Sequence, residues 1–399
     1  MSRDHGTPRP LAFVAPRFGP GVVGGSEAVM REIALGLAAR GHQVEVVTTC
    51  ATDHYTWANA LPPGTTVEEG VTVHRFETVP SATRVGHRAH MDIYHDRPTT
   101  LDEQIGWLSF PFRVPRLYTH LLRHGGRYGA VVFSPYLFWT TTVCMPVVAE
   151  RAVVVPCLHD EVYARLEAIR PVLRDPARVW FLSEPEHALA HRLGPVAPAH
   201  SVTGAGVDVP SSYDPEGFRR THGIERPFVL YAGRREVDKG WDWLLEAYRS
   251  SLDVDDSGFD LVAVGVGEVE VPRSLRHRVI DLGFLSASER DDAMAAATAY
   301  LQPSLMESFS RSIMEAWLAG TVVLAREGSE VVAWHCERSG GGGTFADGKT
   351  LAARLRGLAD DPGSATAMAE RGRRYVLDTY TWPVVLDRME ADLRSLTDT

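Results

Sequence analysis

Short apolar runs alternate with stretches of helical periodicity along this chain, and that alternation predicts a mostly parallel sheet. The first run, Leu11-Ala12-Phe13-Val14-Ala15, reads as a buried strand. A glycine-rich loop from Gly19 to Gly25 follows it. Next comes a helix with Ser26 as the expected N-cap and Glu27 in the first turn, where negative charge suits the helix dipole. Met30, Ile33, Ala34 and Leu37 fall on one helical face, Gly41 ends the helix, and Val44-Glu45-Val46-Val47 is the next strand. This is a βαβ opening.

Residues 52–105 are rich in Thr, His and Pro and show one clear strand, Val71–Phe76, so they read as a mobile or acceptor-contacting insertion. Ala130–Phe133 and Ala152–Val155 are strand-like. The α/β pattern then restarts with strand Phe228–Ala232, helix Trp241–Arg249 and strand Asp260–Val264. The restart puts a domain boundary in the Gly- and Pro-containing stretch 205–225. The expected division is 1–207, then 208–378, with 379–399 as a C-terminal helix packing back on the first domain. Two similar α/β domains facing a cleft are expected, with ligands at the carboxyl ends of the strands.

A chain of 399 residues suits two such domains. Its 44% hydrophobic and 23% charged residues are those of a globular protein. The polar start Met1–Pro8 carries no apolar leader, and no run approaches membrane-spanning length, so a cytoplasmic location is expected. Cys50, Cys144, Cys157 and Cys336 lie far apart without CxxC spacing and read as reduced, buried thiols. A net charge of −10 argues against non-specific nucleic-acid binding.

Three features of the second half carry candidate chemistry. Gly233-Arg234-Arg235-Glu236-Val237-Asp238-Lys239-Gly240 lies between a strand and a helix, where Arg234 and Lys239 suit a diphosphate; a solvated charged turn is an equal reading. Glu307-Ser308-Phe309-Ser310-Arg311-Ser312-Ile313-Met314-Glu315 follows the strand Ala299–Ser304. Glu307 is expected in the loop and Glu315 two turns into a helix, with the amides of Phe309, Ser310 and Arg311 open to an anion. Both acids are ordinary surface residues on the plain reading, but Glu315 sits among Ile313, Met314, Ala316, Trp317 and Leu318, where an unpaired carboxylate is costly. Gly265-Val266-Gly267-Glu268 ends another strand and by itself is only a tight turn.

Together these features resemble the retaining glycosyltransferases of family 4, which have the GT-B fold of two Rossmann-like domains. The resemblance rests on the Gly-Arg-x4-Lys-Gly turn, the Glu-x7-Glu motif and their spacing. Gly24-Gly25-Ser26-Glu27, Cys157-Leu158-His159-Asp160-Glu161, Gly206-Val207-Asp208 and the late segment Cys336–Gly341, similar to a loop near the donor, add to it. It implies that Arg234 and Lys239 hold the diphosphate of a nucleotide sugar and stabilise its charge as it leaves. Glu315 would bind the ribose, Glu307 the transferred sugar, and His159 the sugar near the reacting carbon. Gly24, Gly25, Gly233 and Gly265 would approach the donor closely. It further implies metal-independent transfer with an α-glycoside product, no cofactor beyond the nucleotide sugar, UDP or GDP as its nucleotide, and a glycan, lipid-linked or small-molecule acceptor. Ser308 and Ser310 stand where the commonest form has glycines, so their hydroxyls are expected to narrow the sugar pocket. A sugar-nucleotide epimerase of the same shape and a non-catalytic nucleotide-sugar-binding protein are the competing readings.

Other patterns point elsewhere. Gly19-Pro20-Gly21-Val22-Val23-Gly24 matches GxGxxG, yet the following strand ends Thr48-Thr49-Cys50 without the acid that a nicotinamide site needs. Asp253-Val254-Asp255 resembles a metal-binding DxD but reads as a polar turn. His87, His90 and His95 lack strong ligand spacing. Arg113–Arg127 predicts a half-buried helix with a basic face, with contact to anionic lipid or an anionic acceptor as the less favoured alternative.

Overall fold

The computed structural model describes residues 9–22, 24–81, 83–256, 258–267 and 270–397. The polar start Met1–Pro8, Val23 of the glycine loop and Glu268 therefore lie outside the described residues. The chain divides into two compact units, Met1–Gly206 with Val385–Thr399, and Val207–Val384.

The first unit contains β1 (Leu11–Val14), β2 (Val44–Thr49), β3 (Gly64–Glu68), β4 (Val71–Phe76), β5 (Val79–Pro80), β6 (Phe112–Arg113), β7 (Ala130–Phe133), β8 (Ala152–Val154), β9 (Arg178–Phe181) and β10 (His200–Val202). Its main sheet runs β10-β9-β8-β7-β1-β2-β4-β3, parallel throughout except for β3 against β4. Both faces are covered, which is why β1, β7 and β8 are continuous apolar runs with every residue buried. The helix Trp382–Thr397 joins this unit from Val385 onward. There Arg40 donates to Asp387 at 2.7 Å and Glu390 at 2.8 Å, and Trp180 donates its indole N–H to Asp392 at 2.9 Å.

The second unit holds β11 (Phe228–Ala232), β12 (Asp260–Val264), β13 (Val279–Gly283), β14 (Ala299–Gln302), β15 (Val322–Arg326) and β16 (Gly342–Phe345). All six are parallel, in the order β13-β12-β11-β14-β15-β16. The chain builds outward from β11 on one side, then returns to build outward on the other, the doubly wound order of dinucleotide-binding sheets.

Several sequence expectations need correction. Helix Gly25–Ala39 is capped by Gly24, not Ser26; the Ser26 hydroxyl donates to Glu27 at 2.8 Å instead. Residues 52–105 contain the helix Arg84–Tyr94 and most of the helix Leu101–Trp107, the latter begun by a capping box between Thr100 and Glu103. The helix at Trp241 runs to Val254, so Asp253 is helical and bonds Arg249 at 2.8 Å, while Asp255 accepts from Arg356 at 2.7 Å. Both DxD carboxylates are therefore matched with arginine. Cys336 to Ser339 form the last turn of helix Glu330–Ser339, not a loop. Helix Pro115–His124 buries Leu117 and Leu121, and Arg127 beyond it pairs with Glu45. Cys50, Cys144 and Cys336 are buried and all four cysteines are free, Cys157 being partly exposed. Among the described residues no helix is long and apolar enough to cross a membrane.

Candidate functional site

In the second unit, the chain's return past β11 leaves a crevice between the carboxyl ends of β11 and β14. The turn after β11 is fixed from below by two buried tyrosines. Tyr231 donates its hydroxyl proton to the Arg234 carbonyl at 2.6 Å, and Tyr300 of β14 donates to the Ala232 carbonyl at 3.0 Å. Backbone bonds from Gly233 to Val264 at 3.0 Å and from Arg235 to Val266 at 2.9 Å join this turn to the loop after β12. Gly265 is required there: its φ is +132° and a Cβ would lie 2.0 Å from the Gly233 carbonyl oxygen.

The two adjacent arginines have different surroundings. The Arg235 side chain is buried, paired with Asp281 and bonded to the Gly267 carbonyl at 3.0 Å, so it ties the turn after β11 to the loop after β12 and to β13. Arg234 is 41% exposed at its side chain and contacts Glu236 at 3.1 Å. Its guanidinium is accessible to a ligand.

The turn then closes through Val237–Lys239 and Gly240, whose φ is +72° and whose Cβ would lie 2.5 Å from the Pro303 carbonyl oxygen. That close approach sets Lys239 against the loop after β14. Lys239 Nζ lies 2.9 Å from Glu307 Oε1, joining two residues 68 positions apart in sequence.

The rest of that loop is anchored by Phe309, which is buried edge-on against His335 and Tyr380 at centroid distances of 5.3 and 4.9 Å. Ser310 follows as the helix N-cap with φ 67°, a left-handed conformation that explains a preference for glycine at this position. Its hydroxyl does not project freely. It accepts from Gln302 Nε2 at 2.9 Å, and Ser312 accepts from the same amide at 3.3 Å.

The helix itself is Arg311–Leu318, so Glu315 lies about one turn in, not two. Glu315 pairs with Arg290 of helix Ala287–Ala296 at 3.3 Å. Burial raises the Glu315 carboxyl above the usual range, against the opposing pull of Arg290 and Arg311. Arg290 lies in a helix with little hydrophobic patterning, and nothing in its local sequence marked it as a partner for an acid 25 positions later.

In the first unit, the corresponding crossing lies between β1 and β7. Arg17 and Glu27 form a buried ion pair behind the glycine loop, the guanidinium donating through Nε at 3.0 Å and through Nη2 at 2.5 Å. A Cβ on Gly24 would lie 2.3 Å from the Glu27 carboxylate, whereas one on Gly25 meets open space. Glu27 is thus a brace for the loop as well as a helix-dipole charge.

His159 follows β8 with its side chain 32% exposed, its Nδ1 lying 3.7 Å from Glu161 Oε1. Glu161 is oriented by the buried Tyr136, whose hydroxyl donates to it at 2.8 Å. Glu186 holds the same loop: it is fully buried and accepts backbone N–H bonds from Leu158 at 2.6 Å and Leu182 at 2.5 Å. Burial pushes its carboxyl up to about 8, opposed by those amides. A lone Glu in an amphipathic helix gave no sequence signal for this role.

The second-unit crevice thus gathers an accessible guanidinium, an ammonium, two acids and a helix N-terminus with no side-chain cap. Such a set can bind a diphosphate through cations and amides and hydroxyls through carboxylates.

Residues 226–361 match the family model described as Glycosyl transferases group 1. A GDP-mannose-dependent alpha-mannosyltransferase of Mycolicibacterium smegmatis is 27% identical over 403 residues, covering 95% of each chain. A 2-deoxystreptamine glucosyltransferase of Streptomyces kanamyceticus is 28% identical over 171 residues, 39% of this chain and 42% of that protein. Among solved structures, sucrose-phosphate synthase of Thermosynechococcus elongatus superposes with a TM-score of 0.72 at 17% identity, covering 97% of this chain and 99% of the other. Anabaena HepE, solved with UDP and glucose, gives 0.71 at 17% identity over 97% and 100%. The fold is that of GT-B glycosyltransferases.

Proposed function

We propose that this chain is a glycosyltransferase that moves a sugar from a nucleoside-diphosphate donor to an acceptor with retention of configuration, without a metal ion, in the cytoplasm. The observation that carries the reading is the Lys239–Glu307 pair at 2.9 Å, beside the accessible Arg234, in the crevice between β11 and β14. Fixed cations at that point suit the charge that develops on a departing diphosphate, the electrostatic contribution that usually dominates such chemistry. They also occupy the role a divalent ion would otherwise fill.

Arg234 and Lys239 are assigned to the diphosphate, with the amides at Phe309, Ser310 and Arg311 beside them. Glu307 is assigned to the sugar, Glu315 to the ribose and His159 to the sugar near the reacting carbon. Gly24, Gly25, Gly233 and Gly265 are assigned to close backbone approach. UDP and GDP are the leading nucleotides, supported by the UDP bound to HepE and the GDP-mannose dependence of the mycobacterial relative. The acceptor is a glycan, a lipid-linked sugar or a small molecule.

The test is calorimetric titration with UDP, GDP, ADP and TDP, then donor turnover in EDTA and NMR of the product's anomeric configuration. Arg234→Ala should weaken binding of the preferred nucleotide by about 1.5–3 kcal/mol. Unchanged affinity would remove Arg234 from the site, and an inverted product would overturn retention.

A further inference from the structure

Three histidines of the first unit converge at the edge of its sheet. His187 and His191 are four residues apart, one above the other on helix Glu184–Leu193, and their Nε2 atoms lie 3.0 Å from each other. His200 opens β10, the edge strand of the sheet, and one ligating atom from each of the three rings lies within 4.8 Å of the others. Among the described residues no other group of three His, Cys, Asp or Glu side chains has such spacing.

The surroundings prepare these rings for a cation. The Ala197 carbonyl can only accept, so His200 Nδ1, 2.8 Å from it, must carry the proton, leaving the Nε2 lone pair for a ligand. Glu184 Oε2 lies 3.6 Å behind His187 Nδ1, the side from which a carboxylate typically orients a metal-bound imidazole. Two nitrogens on a tetrahedral zinc ion, at roughly 2.0–2.1 Å each, are about 3.3 Å apart. The His187–His191 separation is already close to that edge, and the His200 ligand atom lies within 4.8 Å of both.

We propose that His187, His191 and His200 form a three-histidine site for a divalent transition ion, Zn2+ first, with water completing the coordination. The ion would join helix Glu184–Leu193 to β10, which is only three residues long and is paired on one side by β9. β10 is the edge of the sheet, with β9 and β8 between it and the β7–β1 crossing. The ion's role is thus to hold the helix to the edge strand, apart from the sugar transfer proposed above.

The experiment uses untagged full-length protein stripped with EDTA and titrated with Zn2+ and Co2+. One ion per chain, a tetrahedral Co2+ visible spectrum and a Zn2+-dependent rise in melting temperature are expected. His191→Ala, at an exposed position, and His200→Gln should each lower Zn2+ affinity at least tenfold and remove the thermal gain. His124→Ala, on another exposed helix end, should change neither. Absence of stoichiometric binding, or binding that survives the His187→Ala/His191→Ala double variant, overturns the site. Nucleotide affinity that follows Zn2+ occupancy overturns its structural role.

Discussion

Lys239 and Glu307 must act as one unit if a diphosphate binds where they meet. At 2.9 Å and an effective dielectric of about 20, their gross attraction is roughly 6 kcal/mol. With the Lys239 side chain 30% exposed and Glu307 13%, solvent screening and desolvation reduce the net coupling to about 1 kcal/mol. A diphosphate that takes Lys239 must compete with Glu307 for the same ammonium. Lys239→Met should therefore weaken nucleoside-diphosphate binding by about 1.5–3 kcal/mol, roughly 10- to 150-fold. Glu307→Gln should tighten binding by up to about 1 kcal/mol, because the ammonium is released to the ligand. In the Lys239→Met background that gain should vanish, a non-additivity of the size expected for residues in contact. Calorimetry on the wild type, both single variants and the double variant closes the cycle, and sugar transfer should fall in Glu307→Gln. If Lys239→Met binds like wild type, or if Glu307→Gln has the same effect in both backgrounds, the two residues do not share a diphosphate site.

Gly265→Ala puts a Cβ 2.0 Å from the Gly233 carbonyl at a φ of +132°, so a loss of at least about 2 kcal/mol in chemical denaturation is expected, with weaker nucleotide binding. Arg290→Leu strips Glu315 of its ion-pair partner and should cost about 1–3 kcal/mol at pH 8. The cost should shrink as the pH is lowered, because the raised Glu315 carboxyl takes up a proton more readily than an ordinary one, and a pH-independent cost would contradict the pairing. His335 is wholly buried with Nδ1 2.9 Å from the Tyr375 hydroxyl, and burial depresses its protonation to about 3 from 6.5. The unfolded chain binds that proton first, so its contribution to stability is complete above about pH 6.5 and is lost progressively as pH falls toward 3. Between pH 7.5 and 5 the loss should be about 2 kcal/mol in urea titrations, and His335→Gln should flatten the slope.

Features whose signal is local are legible in the chain alone. Apolar runs such as Phe228–Ala232 and Ala130–Phe133 could only be buried strands, because both faces of a parallel sheet are covered. Arg234 and Lys239 were readable as cations at a strand's carboxyl end, and the spacing of Glu307 and Glu315 was itself the motif. The helices Arg84–Tyr94 and Leu101–Trp107 are hard to read from periodicity because of the Thr, His and Pro residues around them, although Thr100 and Glu103 spell a capping box. Tertiary structure alone decided the partners. Lys239 meets Glu307 only because β11 and β14 are neighbours across a chain return and Gly240 packs against Pro303. Glu315 is balanced by Arg290 from a different helix, Glu27 by Arg17 across the glycine loop, and Glu186 by amides of two loops. Ser310 was expected to narrow a sugar pocket, yet a left-handed backbone and Gln302 direct its hydroxyl into the protein. Hydrophobic period is written in consecutive residues, whereas the neutralisation of a buried charge depends on which distant segment the fold brings beside it.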